Sequence, residues 1–89
     1  MNKKAIYPGS FDPFTLGHLD IVTRALKIFD HIYIAIGDNK SKTTLFSVEE
    51  RKEQISEIFK NNPKITVTSF NELLVNFAKK INVFTVIRG

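Results

Sequence analysis

The 89-residue sequence predicts an α/β fold: a doubly wound, Rossmann-like parallel sheet with the element order βαβαβαβ. Four short segments rich in β-branched and aromatic residues alternate with three stretches whose apolar residues recur at three- and four-residue spacings. One of the four, "HIYIAIG" from His31 to Gly37, is almost continuously apolar, as a strand covered on both faces requires. A third observation is local. "YPGSFDPFTLGH", Tyr7 to His18, gathers two of the four glycines, two of the three prolines and one of the two histidines into one turn between strand-like and helix-like runs.

Lys4 to Tyr7 reads as the first strand. After the turn, Leu19, Val22, Leu26 and Phe29 form one apolar stripe on a helix running from about Thr15 to Phe29. His31 to Gly37 is the second strand, and "DNKSKTTLF" after it is a polar loop. Ser47 followed by Glu50, in "SVEE", is a capping-box pattern opening a helix with Val48, Ile55, Ile58 and Phe59 inward. Asn61, Asn62 and Pro63 stop it. "ITVTSF", Ile65 to Phe70, alternates apolar and polar, so this third strand has a wet face or lies at an edge. Asn71 is positioned to cap a third helix with Leu74, Phe77, Ala78 and Ile81 inward, and "VFTVI", Val83 to Ile87, reads as a fourth strand ending in Arg88 and Gly89.

Right-handed crossovers then give the strand order 3-2-1-4, with the switch point between the first and fourth strands. Helices one and two cover one face and the third covers the other. "VFTVI" offers apolar side chains to both faces without the lysine, proline or charge that protects an edge. Residues 1–89 are therefore expected to be the N-terminal part of a longer single domain, with a later strand and helices beyond them.

With 43% hydrophobic and 25% charged residues the composition is that of a globular chain rather than a disordered one. A formal net charge of +4 favours anionic ligands, although scattered solvated lysines account for much of it. Cysteine is absent, which excludes disulfides and thiolate metal sites, and two histidines alone do not close a zinc site. The apolar run of "MNKKAIYPG" is too short for a signal segment, and no run nears the roughly 20 apolar residues that span a bilayer. A cytoplasmic protein without membrane contact is the expectation.

In an open parallel sheet the ligand sits beyond the carboxyl ends of the strands at the switch point. The Tyr7–His18 turn and Arg88 converge there. Gly9 permits close backbone approach or a positive φ, Ser10 supplies a hydroxyl, and the first turn of the next helix offers N–H groups at a positive dipole end. His18 can aim its imidazole at the same anion, with Gly17 beside it leaving room. The structural alternative for a lone histidine there is a surface or capping role. Neither G-x-G-x-x-G nor G-x-x-x-x-G-K-[ST] occurs, so the residues themselves point to a phosphate-binding α/β domain and no further. Asp12 in "FDPF" fits a turn aspartate bonded to nearby backbone N–H groups.

The string "YPGSFDPFTLGH", with Ser41-Lys42, "EER" at Glu49 to Arg51, "NFA" at Asn76 to Ala78 and the terminal "VIRG", resembles the bacterial phosphopantetheine adenylyltransferases. Their T-x-G-H is a form of the H-x-G-H signature of the wider nucleotidyltransferase superfamily. Ser10 stands where threonine is frequent in that family, and Leu16 where asparagine is common. The resemblance implies reversible transfer of an adenylyl group from ATP to 4′-phosphopantetheine, giving dephospho-coenzyme A and pyrophosphate, with Mg²⁺ accompanying the ATP phosphates. It also implies a homohexamer, and a later half of the chain that completes the ATP site.

By matched position, the resemblance implies that His18 stabilises the transition state and that Ser10, Phe11, His18 and Gly89 contact ATP, Phe11 through its backbone. It implies that Ser10, Lys42, Leu74 and Arg88 hold phosphopantetheine. The residues by themselves place Leu74 at core spacing and Lys42 in a solvated loop, whereas a guanidinium at the end of a central strand favours function at Arg88. No residue is assigned to a metal. Two alternatives stand beside this: another α/β nucleotidyltransferase with a different phosphorylated acceptor, and a non-enzymatic anion- or nucleic-acid-binding module. Aromatics do not cluster with Lys and Arg, so nucleic acid is not an expected partner.

Overall fold

The computed structural model describes residues 3–39 and 43–88. Three strands, β1 (Lys4–Gly9), β2 (His31–Gly37) and β3 (Ile65–Phe70), alternate with three helices, α1 (Leu16–Ala25), α2 (Val48–Ile58) and α3 (Leu74–Ile81). The strands form a parallel sheet in the order β1-β2-β3, with Lys4 opposite His31 and Ile32 opposite Ile65. β2 is central and carries Ile32, Ile34, Ala35 and Ile36 into the core, while β3 is the half-buried edge its alternating pattern predicts.

Two apolar clusters lie on opposite faces of the sheet. Tyr7, Ile32, Ile34 and Ile36 meet Val22 and Ala25 of α1 and Ile55 of α2 on one face. Ile6 and Ala35 meet Phe77 and Ala78 of α3, with Val83, on the other. This is the doubly wound arrangement expected from the sequence.

The expected fourth strand does not form as a strand. Residues 83–87 lie beside β1 through one isolated parallel bridge, Ile6 with Val86, so the 3-2-1 order is regular and the fourth position is held at a single point. Ile6 N–H donates to the Thr85 carbonyl at 2.8 Å and Ile87 N–H donates to the Ile6 carbonyl at 2.8 Å. On this side of β1 the next donor belongs to residue 8, and Pro8 has no N–H. The ladder therefore cannot continue past Ile87.

Other boundaries also move. α1 ends at Ala25, four residues before Phe29, because Lys27 and Ile28 donate to carbonyls three residues back and tighten the last turn. Asn71 does not cap α3; Leu73 holds that position with no side-chain cap, and Asn71 N–H donates to Glu72 Oε1 instead. Ser47 and Glu50 cap α2 reciprocally, as "SVEE" predicts. On α2, however, Ile58 is 49% exposed, and Arg51 takes the inward position between Val48 and Ile55.

Candidate functional site

The turn beyond β1 is built around one ring. Phe11 is buried at φ 49°, and its ring packs against Tyr7, Phe14 and His18 with centroids 5.2, 5.4 and 5.0 Å away. A Cβ on Gly9 would stand 2.9 Å from Phe11 Cζ. Gly9 is thus required by the close approach of this ring; no glycine among the described residues has positive φ. Burial raises the pKa of the Tyr7 phenol, which stays neutral beneath the cluster.

At the start of α1, Thr15 and His18 cap each other. Thr15 N–H donates to His18 Nδ1 at 2.9 Å, His18 N–H donates to Thr15 Oγ1 at 3.4 Å, and Thr15 Oγ1 lies 3.1 Å from the same imidazole nitrogen. Histidine here takes the place that Glu or Gln usually occupies in a capping box. Because Nδ1 accepts a backbone N–H, the network assigns the ring proton to Nε2. Nε2 makes no hydrogen bond among the described residues, so the ring caps the helix through Nδ1 and keeps a second nitrogen unengaged. α1 carries no acidic residue in its first turn, and the cap does not use the N–H groups of Leu16 and Gly17. A Cβ on Gly17 would meet only Thr15 Oγ1, at 3.6 Å, so the chain's own packing does not demand glycine there.

Two charged side chains fasten this turn to the segment before α2. Asp12 Oδ2 accepts Leu45 N–H at 2.6 Å and Oδ1 accepts Phe46 N–H at 2.9 Å. The structural role expected of Asp12 holds, but its partners lie more than thirty residues away rather than nearby. Arg51, 2% exposed, donates from Nη1 to the Ser10 carbonyl at 2.6 Å and from Nε to the carbonyls of Phe46 and Ser47 at 3.1 and 3.3 Å. No carboxylate pairs with it among the described residues.

Of the residues singled out from sequence, Ser10, Phe11 and His18 come together in this turn. Ser10 is exposed, Phe11 is buried by its ring, and His18 is half-buried. Arg88 is exposed and follows the Ile6–Val86 bridge by two residues. Leu74 opens α3 at the same end of the sheet but packs on the opposite face with the Ile6, Phe77 and Val83 cluster. Lys42 and Gly89 lie outside the described residues. Arg51 had no role assigned from sequence. Its signal was its place three residues after Val48 and four before Ile55, on the apolar stripe of α2.

A family model described as cytidylyltransferase-like matches residues 6–89. Phosphopantetheine adenylyltransferases from Nautilia profundicola and Francisella tularensis subsp. novicida are 54% and 51% identical over all 89 residues. The chain spans 58% and 55% of the length of these two curated relatives. Among solved structures, a bifunctional NMN adenylyltransferase/ADP ribose pyrophosphatase from Francisella tularensis superposes with a TM-score of 0.69, at 24% identity, over 89% of this chain and 25% of that one. The same description with AMP and a manganese ion bound gives a TM-score of 0.66 at 24% identity over the same shares. At that identity the likeness is one of fold. With its family match running from Ile6 to the last residue, the chain belongs to the cytidylyltransferase-like family.

Proposed function

We propose that the protein acts in the transfer of an adenylyl group from ATP to 4′-phosphopantetheine, giving dephospho-coenzyme A and pyrophosphate. One observation carries this: the Thr15–His18 cap leaves an Nε2–H donor beside the N-terminus of α1, next to the Ser10–Phe11 turn. Relatives named phosphopantetheine adenylyltransferase that match the whole chain at 51–54% identity support the choice of acceptor.

In this reaction a phosphate oxygen of phosphopantetheine attacks the α-phosphorus of ATP. A new P–O bond forms, the bond from the α-phosphorus to the bridging oxygen breaks, and that oxygen leaves on pyrophosphate. The nucleophile is already anionic, so the protein's work is alignment and stabilisation of spreading charge rather than proton abstraction. His18 Nε2–H and the N–H groups at the head of α1 donate to phosphate oxygens. Ser10 holds the attacking phosphate and contacts ATP, and Phe11 contacts ATP through its backbone. Gly17 leaves clearance for the phosphates. Arg88 and Lys42 supply cationic contacts to the acceptor, Leu74 lines its pantetheine arm, and Gly89 opens a segment toward ATP.

A divalent cation belongs with this chemistry, where it neutralises phosphate charge. The described residues do not fit a protein-held metal centre: no three His, Asp or Glu converge, and both oxygens of Asp12 already accept backbone N–H groups. Mg²⁺ is accordingly assigned to the ATP phosphates. No described helix is long and apolar enough to cross a membrane. A cytoplasmic homohexamer completes this reading.

Phosphorus NMR tests the proposal. ATP, Mg²⁺ and 4′-phosphopantetheine incubated with the protein should yield pyrophosphate and the diphosphate signals of dephospho-coenzyme A. Turnover only with another phosphorylated acceptor would replace the substrate. ATP binding without transfer to any acceptor would replace the enzyme with an anion-binding module.

A further inference from the structure

We infer that Arg51 is a positioning residue that aims the Phe11 backbone N–H at a phosphate-bearing ligand. The inference rests on the proposed use of the turn as a phosphate site. The peptide between Ser10 and Phe11 is trans, so its carbonyl and N–H point to opposite sides of one plane. Arg51 Nη1 holds the carbonyl side at 2.6 Å. The Phe11 N–H therefore faces away from α2. α2 packs over β2 and β3, and residues 83–87 lie along the other edge of β1, so the N–H is turned from the side that α2 occupies.

Two features show that this plane is held rather than incidental. Phe11 sits at φ 49°, which a bulky residue adopts only where its surroundings enforce it. Its ring is fixed from below by Tyr7, Phe14 and His18, and its preceding carbonyl from the side by Arg51. The guanidinium has a fork geometry that serves three carbonyls at once, those of Ser10, Phe46 and Ser47. A buried cation with no carboxylate partner among the described residues also leaves net positive potential behind the Ser10 carbonyl. Arg51 thus orients a neutral donor and adds charge without itself touching the ligand.

Inorganic pyrophosphate is the probe. In the unmodified protein, saturating pyrophosphate should slow hydrogen exchange of the Phe11 amide more than about tenfold and shift the His18 imidazole signals. In Arg51→Lys, which keeps the charge but loses the fork, the His18 shift should persist while the Phe11 protection disappears and affinity falls about tenfold. A His18 response with no change at the Phe11 amide in the unmodified protein overturns the positioning role, whatever the variant's stability. An Arg51→Lys protein that melts lower yet protects Phe11 normally also overturns it, because Arg51 is then only a brace. If neither His18 nor Phe11 responds to pyrophosphate, the phosphate site itself is wrong and the inference falls with it.

Discussion

Thr15 and His18 hold each other through two backbone N–H groups, Thr15 N–H to His18 Nδ1 and His18 N–H to Thr15 Oγ1, so the cap that starts α1 also sets which imidazole nitrogen carries the proton. Thr15 serves the helix cap, whereas His18 serves both the cap and the proposed ligand chemistry, and variants should separate the two. Thr15→Ala removes the cap hydroxyl but leaves the backbone donor to Nδ1. Urea unfolding should show a loss of about 0.5–2 kcal/mol, with adenylyl transfer only mildly reduced. His18→Ala should instead lower kcat by about 10²–10³ with the fold retained.

Gly9 and Phe11 form a second coupled pair. With ring atoms 2.9, 3.1 and 3.2 Å from the Cβ that alanine would bring, and the ring walled in by three aromatic neighbours, Gly9→Ala should cost about 1–3 kcal/mol. Phe11→Leu frees that space, so the double variant should recover part of the loss. Simple additivity in the double-mutant cycle would show that the ring is not the obstacle.

Asp12 should behave as a clasp. Asp12→Asn retains one acceptor oxygen and turns an amide donor toward a backbone donor, either at Leu45 or at Phe46. A loss of about 1–3 kcal/mol is expected for a charge-assisted pair of bonds, with faster exchange at one of these two amides. Unchanged exchange at both would contradict the clasp.

His31, at the amino end of β2 and far from the turn, predicts a pH effect. Burial first, and the nearby Lys4 charge second, lower its pKa below the ordinary histidine value, and its Nε2 lies 2.7 Å from Thr66 Oγ1. The unfolded chain therefore takes up the proton before the folded one does. Stability should be full above the ordinary histidine pKa and should decline as pH falls through it toward the lowered folded value, then level with respect to this group. Denaturation of His31→Gln from pH 8 to 5 should lack that component.

Much of this was legible in the sequence because the deciding signals are local. The apolar run of β2, the stripe of α1 and "SVEE" at α2 each specify an element from within a few residues. The failures came from long-range partners. Pro8 was read as part of the turn, although its missing N–H decides how far residues 83–87 can pair with β1. Arg51 had no role assigned from sequence, since its use depends on carbonyls of Ser10, Phe46 and Ser47 that only the fold brings within reach. Asp12 was placed correctly as structural, but partners at Leu45 and Phe46 are invisible to local turn chemistry. Ile58 carries the apolarity of a core residue, yet it stands 49% exposed at the last residue of α2.

The most direct test of the turn as the phosphate site is nitrogen-15 NMR of the His18 imidazole, recorded at pH 9, above the ordinary histidine range, as ATP is added. The Thr15–His18 geometry predicts the Nε2–H tautomer in the free protein and a saturable shift of Nε2 as phosphate oxygens accept from it. An Nδ1–H tautomer, or an Nε2 signal that does not move while ATP binds, would contradict it.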